Sequence, residues 1–257
     1  MKFSFLSTVF ALALFAGMVL LLELGLRWGK RRRARDMEGA RAGLGAVEGA
    51  VFGLMGLLVA FTFSGAAARF DTRRHLIIEE ANAIGTAWLR IDLLPAEAHP
   101  ELRDLFRRYL DTRLAAYQKL PDLAAAHAEL VEANELQAAI WSRAVAACLH
   151  APPATTTVMI PALNEMFDIA TTRTAASQIH PPAIVFIMLG VLALMSSLLA
   201  GYAMAGGKWR SWIHILGFAL ILGSTVYVIL DLEFPRIGFI RVDSFDQLLV
   251  EVRQSMN

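Results

Sequence analysis

The sequence predicts an all-α membrane protein with four transmembrane helices and a helical-bundle domain outside the membrane. Three observations predict this class. The chain of 257 residues is 56% hydrophobic, and its mean hydropathy is +0.51, which is too apolar for a typical soluble domain. Its apolar residues are concentrated in four runs long enough to cross a bilayer, at residues 3–26, 44–67, 183–205 and 212–232. Between the second and third runs the sequence is polar, with the periodicity of helices and no strand-like alternation.

The first run predicts a span that is retained rather than a cleaved signal peptide. It is longer than a signal-peptide core, Glu23 is its only charge, and its positive cluster follows it instead of preceding it. That cluster forms a basic connector, which we expect to attract anionic lipid head groups. A nucleic-acid-binding tail is disfavoured, because the cluster lies between two spans and Trp28 is its only aromatic residue. The connector carries Arg27, Lys30, Arg31, Arg32, Arg33, Arg35 and Arg41.

The second run is rich in glycine and passes without a break into an amphipathic stretch that ends near Arg90. We expect one helix here, or two halves that meet near Gly65. Small residues recur on one face of its membrane half, with phenylalanines at the edge of that face. Such a face predicts either close packing between helices of one subunit or a symmetry axis with phenyl rings as an apolar constriction. The small residues are Gly45, Gly49, Gly53, Gly56, Ala60, Ser64 and Ala67, and the aromatic ones are Phe52, Phe63 and Phe70.

Beyond the membrane, the same helix has a polar and an apolar side. A solvated face and a vestibule wall are the two interpretations of the polar side. Further helices are expected over residues 96–120, from an N-cap at Asp122 to about His150, and over residues 155–180 with an interruption or kink at Pro161. The polar side carries Asp71, His75, Glu79, Asn82, Thr86 and Arg90, and the apolar side carries Leu76, Ile77, Ala81, Ile84 and Trp88.

These elements divide the chain into four parts. Residues 1–68 form the first pair of spans with the basic connector, and residues 69–180 form the extramembrane helical domain. Residues 181–232 form the second pair of spans, and residues 233–257 form a polar C-terminal tail. A further small-residue face on the third span carries Ala193, Ser197, Gly201 and Ala205.

Positive charge predicts the orientation in the membrane. The two short connectors carry nine Lys and Arg residues, against six near the membrane on the other side. The positive-inside rule therefore places the connectors in the cytoplasm and both termini and the helical domain outside the inner membrane. The second connector contributes Lys208 and Arg210, and the six opposing residues are Lys2, Arg69, Arg73, Arg74, Arg236 and Arg241.

The sequence offers little for catalysis or metal binding. Its six histidines and single cysteine, Cys148, have no metal-ligand spacing, and no nucleophile motif is present. We therefore expect no enzyme, no metal and no cofactor. A net charge of +1 implies no polyanionic partner such as nucleic acid.

Charged residues at the ends of the spans are the remaining candidates, because charges at membrane level are costly. One group closes the second span and another closes the fourth at the same membrane face. A carboxylate–arginine network across these ends would be either a structural clamp or a charged ring at a pore mouth. The residues are Arg69, Arg73 and Arg74, followed by Asp231, Glu233 and Arg236.

Two strings resemble a known family. FTFSGAAARFDTRRHLIIEEANAIGTAWLRIDLLP, residues 61–95, and DLEFPRIGFIRVD, residues 231–243, are similar to hallmark regions of the bestrophin-like domain family of bacterial membrane proteins. Bestrophins proper are oligomeric chloride channels with an apolar neck on the second span. The resemblance implies that Gly56, Phe63 and Phe70 line a pore. This chain has no acidic calcium clasp like that of the animal channels, and bestrophins keep their helical domain in the cytosol, opposite to the charge rule here.

Two functions follow as hypotheses. The first is a homo-oligomeric ion channel that passes small inorganic anions, with the second span lining the pore through Gly49, Phe52, Gly56, Phe63 and Phe70. The second is a non-conducting membrane-anchored sensor or assembly protein whose helical domain binds a partner or ligand. A transporter is less favoured, because the sequence shows no inverted repeat.

Overall fold

The computed structural model describes residues 2–34, 44–207 and 212–256. Eight α-helices occur in these ranges, with no strand. They are α1 Lys2–Arg33, α2 Leu44–Arg90, α3 His99–Gln118, α4 Leu123–Cys148, α5 Pro153–Gln178, α6 Ala183–Ala203, α7 Trp212–Glu233 and α8 Gln247–Ser255. Short 3-10 helices occur at Ile91–Leu93, Ala96–Ala98, Met204–Gly206 and Asp243–Asp246. The predicted all-helical class is confirmed, and four helical stretches are long and apolar enough to cross a membrane.

The chain forms two compact units. The membrane unit comprises Met1–Ala68 and His180–Phe234, and the helical unit comprises Arg69–Ile179 and Pro235–Asn257. The sequence set residues 233–257 apart as a tail, whereas the structure packs Pro235–Asn257 into the helical unit. Four basic residues of the predicted connectors, Arg35, Arg41, Lys208 and Arg210, lie outside the described residues.

Close backbone contact holds the membrane unit together. A Cβ placed on Gly201 of α6 would lie 2.0 Å from the Leu22 carbonyl oxygen of α1, and one on Gly25 would lie 2.1 Å from the Leu198 carbonyl oxygen. Only glycine allows helices in lipid to approach this closely. Helix α1 also packs against α7, where Gly223 faces Met18. The small-residue face predicted on the third span therefore contacts α1.

The helical unit has its own apolar core. It is built from the second half of α2 with α3, α4 and α5, and the C-terminal segment contributes Val242, Leu249 and Met256. The Trp88 and Phe106 rings meet edge to face at 6.2 Å between centroids. The predicted apolar side of α2 supplies this core, because the residues at i, i+3 and i+4 lie on one helix face.

Helix boundaries follow local signals, with small corrections. The Asp122 carboxylate accepts a hydrogen bond from the Ala125 N–H at 3.1 Å, so the N-cap predicted for α4 is present. Helix α3 begins at His99 rather than Ala96, since Ala96–Ala98 forms a 3-10 turn first. Helix α5 runs through Pro161, so of the two predicted alternatives the interruption is absent, and the helix ends at Gln178 rather than His180. Helix α2 is a single helix through Gly65.

Candidate functional site

The glycine face of α2 has no neighbour among the described residues of its own chain. A Cβ built on Gly45, Gly49, Gly53 or Gly56 would meet no described atom within 4 Å. Met55 is buried and directly precedes exposed Gly56, and one residue is a rotation of about 100° on a helix. The glycine face is therefore not the side by which α2 packs in the membrane unit. Packing against the described helices of the same subunit therefore does not account for these glycines.

The three candidate phenylalanines lie in different surroundings. Phe63 is 44% exposed, so it remains available to another molecule. Phe52 meets the Phe218 ring of α7 edge to face, with 6.3 Å between centroids. Phe70 packs against the core of the helical unit, and the Arg74 guanidinium lies 5.7 Å from its centroid.

The polar side of α2 beyond the membrane is largely exposed. Asp71, Glu79 and Asn82 are exposed at the surface of the helical unit. This exposure agrees with either interpretation of the face, solvated surface or vestibule wall.

Arg73 caps the end of a helix. It is buried, and its Nε donates to the Ala176 carbonyl oxygen at 3.2 Å while its Nη2 donates to the Ile179 carbonyl oxygen at 3.0 Å. These are unsatisfied carbonyls at the C-terminus of α5, where a positive charge is favoured by the helix dipole. Arg73 thus helps to close the helical unit.

Arg74 and Arg236 also have partners inside the helical unit. Arg74 pairs with Asp71 at 3.1 Å and lies 4.5 Å from the Phe245 ring centroid. Arg236 binds both carboxylate oxygens of Asp246, at 2.6 and 3.0 Å. Arg69 is half-buried.

The two acidic candidates at the end of α7 are buried in the membrane unit. The Tyr227 hydroxyl lies 3.5 Å from Asp231 Oδ1. Glu233 Oε2 lies 3.6 Å from His180 Nδ1, and the His180 ring stacks on Phe234 at 4.5 Å between centroids. These contacts join the start of the second pair of spans to its end.

Sequence reasoning missed the main polar feature of the helical unit, a buried ion network centred on Glu80. Glu80 is fully buried and accepts hydrogen bonds from Arg113 Nε of α3 at 2.6 Å and from Arg173 Nη1 of α5. Arg173 Nη2 continues to Asp246 at 2.8 Å. A signal was present, because Glu80 lies three residues after Ile77 and four before Ile84, on the apolar side of α2.

Electrostatics keep this network fully charged. Burial by itself would raise the pKa of Glu80, but Arg113 and Arg173 outweigh it and hold that pKa below its usual 4.5. Burial would lower the pKa of Arg173, whereas Glu80 and Asp246 raise it. The Tyr117 ring lies 3.8 Å from the Arg173 guanidinium and 4.4 Å from that of Arg236. The network therefore joins α2, α3, α5 and the C-terminal segment, with the charged forms of Glu80, Arg113 and Arg173 favoured at its centre.

The described part of the chain contains no group of three or more His, Cys, Asp or Glu residues placed to hold a metal ion. The polar groups above serve instead to join helices, and the exposed glycine face of α2 is the feature they leave unexplained.

Comparison with known proteins places these features in a family. Residues 12–244 match the bestrophin-like domain. The fold is similar to a crystal structure of a bacterial bestrophin homologue from Klebsiella pneumoniae that carries a tyrosine-to-alanine mutation, with a TM-score of 0.55 and 16% sequence identity over 94% of this chain and 97% of that one. No functionally curated protein matches the sequence. Because the domain match covers most of the chain, this protein belongs to the bestrophin-like domain family.

Proposed function

We propose that this protein is a homo-oligomeric ion channel whose pore is lined by the membrane half of α2. Membership of the bestrophin-like family supports a bestrophin-type channel. The observation that carries the finer proposal is the glycine face of α2, which meets no other helix in the described part of its own chain. Elsewhere in the same unit, glycines lie so close to the backbone of a neighbouring helix that an added Cβ would clash with it.

Another helix is expected to cover this glycine face. Small residues in lipid favour the close approach of another helix, and α1, α6 and α7 do not supply one there. Further copies of α2 would supply it, and a ring of identical helices would enclose a lumen. Repeated around that lumen, Phe63 would form a narrow apolar constriction of the kind that gates ions by dewetting.

Anions are the proposed permeant ions. Arg69 directly follows Ala68, the last residue of α2 in the membrane unit, so it is the arginine nearest along the helix to the proposed lumen. A charge repeated by symmetry at a narrow mouth raises the local concentration of the opposite ion. Asp231 and Glu233 would then be buried structural carboxylates, and Arg73, Arg74 and Arg236 would act mainly within the helical unit.

Replacing Phe63 with alanine is expected to raise single-channel conductance several-fold, because loss of the ring widens and wets the constriction. The measurement is current through the purified protein in planar bilayers under a chloride gradient. Phe61→Ala is the matched control, because Phe61 is 68% exposed and lies about 200° around the helix from Phe63. Equal conductance of the wild type and Phe63→Ala, in channels that remain active, would exclude Phe63 from the constriction.

Replacing Arg69 with glutamine is expected to move the reversal potential away from the chloride potential and towards zero, since the mouth loses its repeated positive charge. The same bilayer recordings measure it, with Arg103→Gln on the surface of the helical unit as the control. A wild-type current that already reverses at the cation potential would refute anion selectivity while leaving the pore in place.

The alternative function is a non-conducting sensor or assembly protein. The uninterrupted course of α2 from Leu44 to Arg90 favours it, since a continuous helix can transmit a shift along its length. The oligomeric state of the purified protein separates the two functions. A monomer or dimer cannot enclose a lumen with one helix face per subunit and would favour the alternative.

We place the protein in the inner membrane, with the basic connectors in the cytoplasm and the helical unit outside. The excess of positive charge in the connectors supports this orientation. Anionic lipid is the proposed partner of the first connector.

A further inference from the structure

The ends of α1 and α6 converge on a basic surface that the proposed channel function does not use. A Cβ on Gly29 would lie 2.6 Å from Ala205 Cβ and 2.8 Å from the Tyr202 carbonyl oxygen. One turn further, the Arg33 guanidinium lies directly over Gly206, where a Cβ would be 2.0 Å from Nη1. Tyr202 and Arg33 therefore occupy successive layers of one junction, about 6 Å apart along the helices.

This junction has an excess of positive charge. Lys30, Arg31 and Arg32 are exposed in the last turn of α1, beside Arg33. The C-terminal ends of α1 and α6 contribute roughly half a negative charge each, so a net charge of about +3 remains. Residues 35–43 add two positive and two negative residues by sequence and leave the balance unchanged.

Two donors at the junction lack a hydrogen-bond partner. Tyr202 is only 9% exposed, and its buried hydroxyl meets no acceptor in the described structure. Arg33 Nε is likewise buried and without an acceptor there. Buried polar groups are nearly always satisfied, and leaving one unsatisfied costs about 1–3 kcal/mol. Since no described residue satisfies either donor, an acceptor from outside the protein chain would satisfy both.

The surroundings indicate where that acceptor comes from. Trp28 is 59% exposed and meets the Tyr202 ring edge to face at 6.2 Å between centroids. An exposed tryptophan with a tyrosine at the end of a span is typical of the level of lipid head groups. Below it, Leu20 and Leu24 of α1 are exposed and offer apolar surface for acyl chains.

We propose that this junction is a binding site for the head group of an anionic phospholipid. The phosphate accepts hydrogen bonds from the Tyr202 hydroxyl and Arg33 Nε, while Lys30, Arg31 and Arg32 attract the negative charge. The site goes beyond the general attraction of a basic connector for the membrane, because it assigns a buried hydroxyl to the lipid. It is independent of ion conduction, so its test does not require an active channel.

The experiment compares binding of phosphatidylglycerol and phosphatidylcholine to the full-length protein by native mass spectrometry from mixed micelles. Tyr202→Phe is expected to weaken phosphatidylglycerol binding about tenfold, the value of one hydrogen bond to a charged acceptor. The triple change Lys30→Gln/Arg31→Gln/Arg32→Gln is expected to weaken it about a hundredfold, or about fivefold for each charge. Phosphatidylcholine binding is expected to stay unchanged in both.

The control is a triple change with the same loss of charge in the helical unit, Arg103→Gln/Lys119→Gln/Arg143→Gln, which should leave lipid binding unaltered. Thermal unfolding without added lipid should not occur at a lower temperature for Tyr202→Phe than for the wild type, because the hydroxyl has no partner in the described part of the protein and its removal relieves the cost of an unsatisfied buried group. Wild-type phosphatidylglycerol binding by Tyr202→Phe would refute the site. Displacement of the lipid by inorganic phosphate would show instead that the site takes the free anion.

Discussion

Replacing Glu80 with glutamine is expected to destabilise the helical unit by about 3–5 kcal/mol. This is the cost of removing one charged partner from a buried ion pair and leaving the other uncompensated. The carboxylate is fully buried and holds both Arg113 and Arg173. An amide has nearly the same shape but no charge, so two buried guanidinium groups would lose their counter-ion. The network joins α2, α3, α5 and the C-terminal segment, so all of them should loosen together.

The thiol of Cys148 offers a direct measurement. It is the only cysteine and lies buried in the core of the helical unit, so a thiol reagent reaches it only when the unit opens. Labelling of Glu80→Gln is expected to be faster than the wild type by roughly two to three and a half orders of magnitude. Glu79→Gln is the matched control, because Glu79 is the preceding residue of α2 and is exposed. Equal labelling rates for Glu80→Gln and Glu79→Gln would show that the network does not stabilise the unit.

The pH dependence of the free energy of unfolding provides a second check on the same residue. The pKa of Glu80 is lower in the folded state than its usual 4.5, so the unfolded state binds the proton first as the pH falls. The stability that Glu80 contributes is therefore complete above pH 4.5 and is lost as the pH falls through the lower folded value. In Glu80→Gln this part of the pH dependence should be absent.

Replacing Gly201 with alanine is expected to disrupt the contact between α1 and α6. The new Cβ would lie 2.0 Å from the Leu22 carbonyl oxygen and 2.7 Å from its carbonyl carbon, and backbone cannot move aside as a flexible side chain can. Overpacking of this kind costs about 1–3 kcal/mol, occasionally more. We expect the detergent-solubilised protein to unfold at a clearly lower temperature. The measurement is the loss of its helical circular dichroism signal on heating.

Gly56→Ala is the matched control for Gly201→Ala. Both changes add one methyl group to a membrane helix, but a Cβ on Gly56 would meet no described atom of its own chain. The isolated subunit should therefore tolerate Gly56→Ala, and a change in oligomeric state would support contact between copies at this face. Unfolding of Gly201→Ala at the wild-type temperature would contradict the close backbone contact between α1 and α6.

Much of the fold could be predicted from local pattern. A helix forms through hydrogen bonds four residues apart, so hydropathy and periodicity along the chain were enough to predict four spans and the amphipathic part of α2. Asp122 acts as an N-cap because its partner lies three residues away. Errors at the start of α3 and at the end of α5 are of a few residues, where proline and short 3-10 turns blur the boundary.

Contacts between residues far apart in the sequence could be identified only from the tertiary structure. Glu79 and Glu80 are identical in type and adjacent, yet only Glu80 is fully buried and held by arginines 33 and 93 residues away. Gly56 and Gly201 both lie on small-residue faces, but of the two only Gly201 meets another described helix. The sequence by itself determined which segments are helical and which can enter lipid, because those properties depend on near neighbours. Which small face is packed and which charge is buried depend on how distant helices meet.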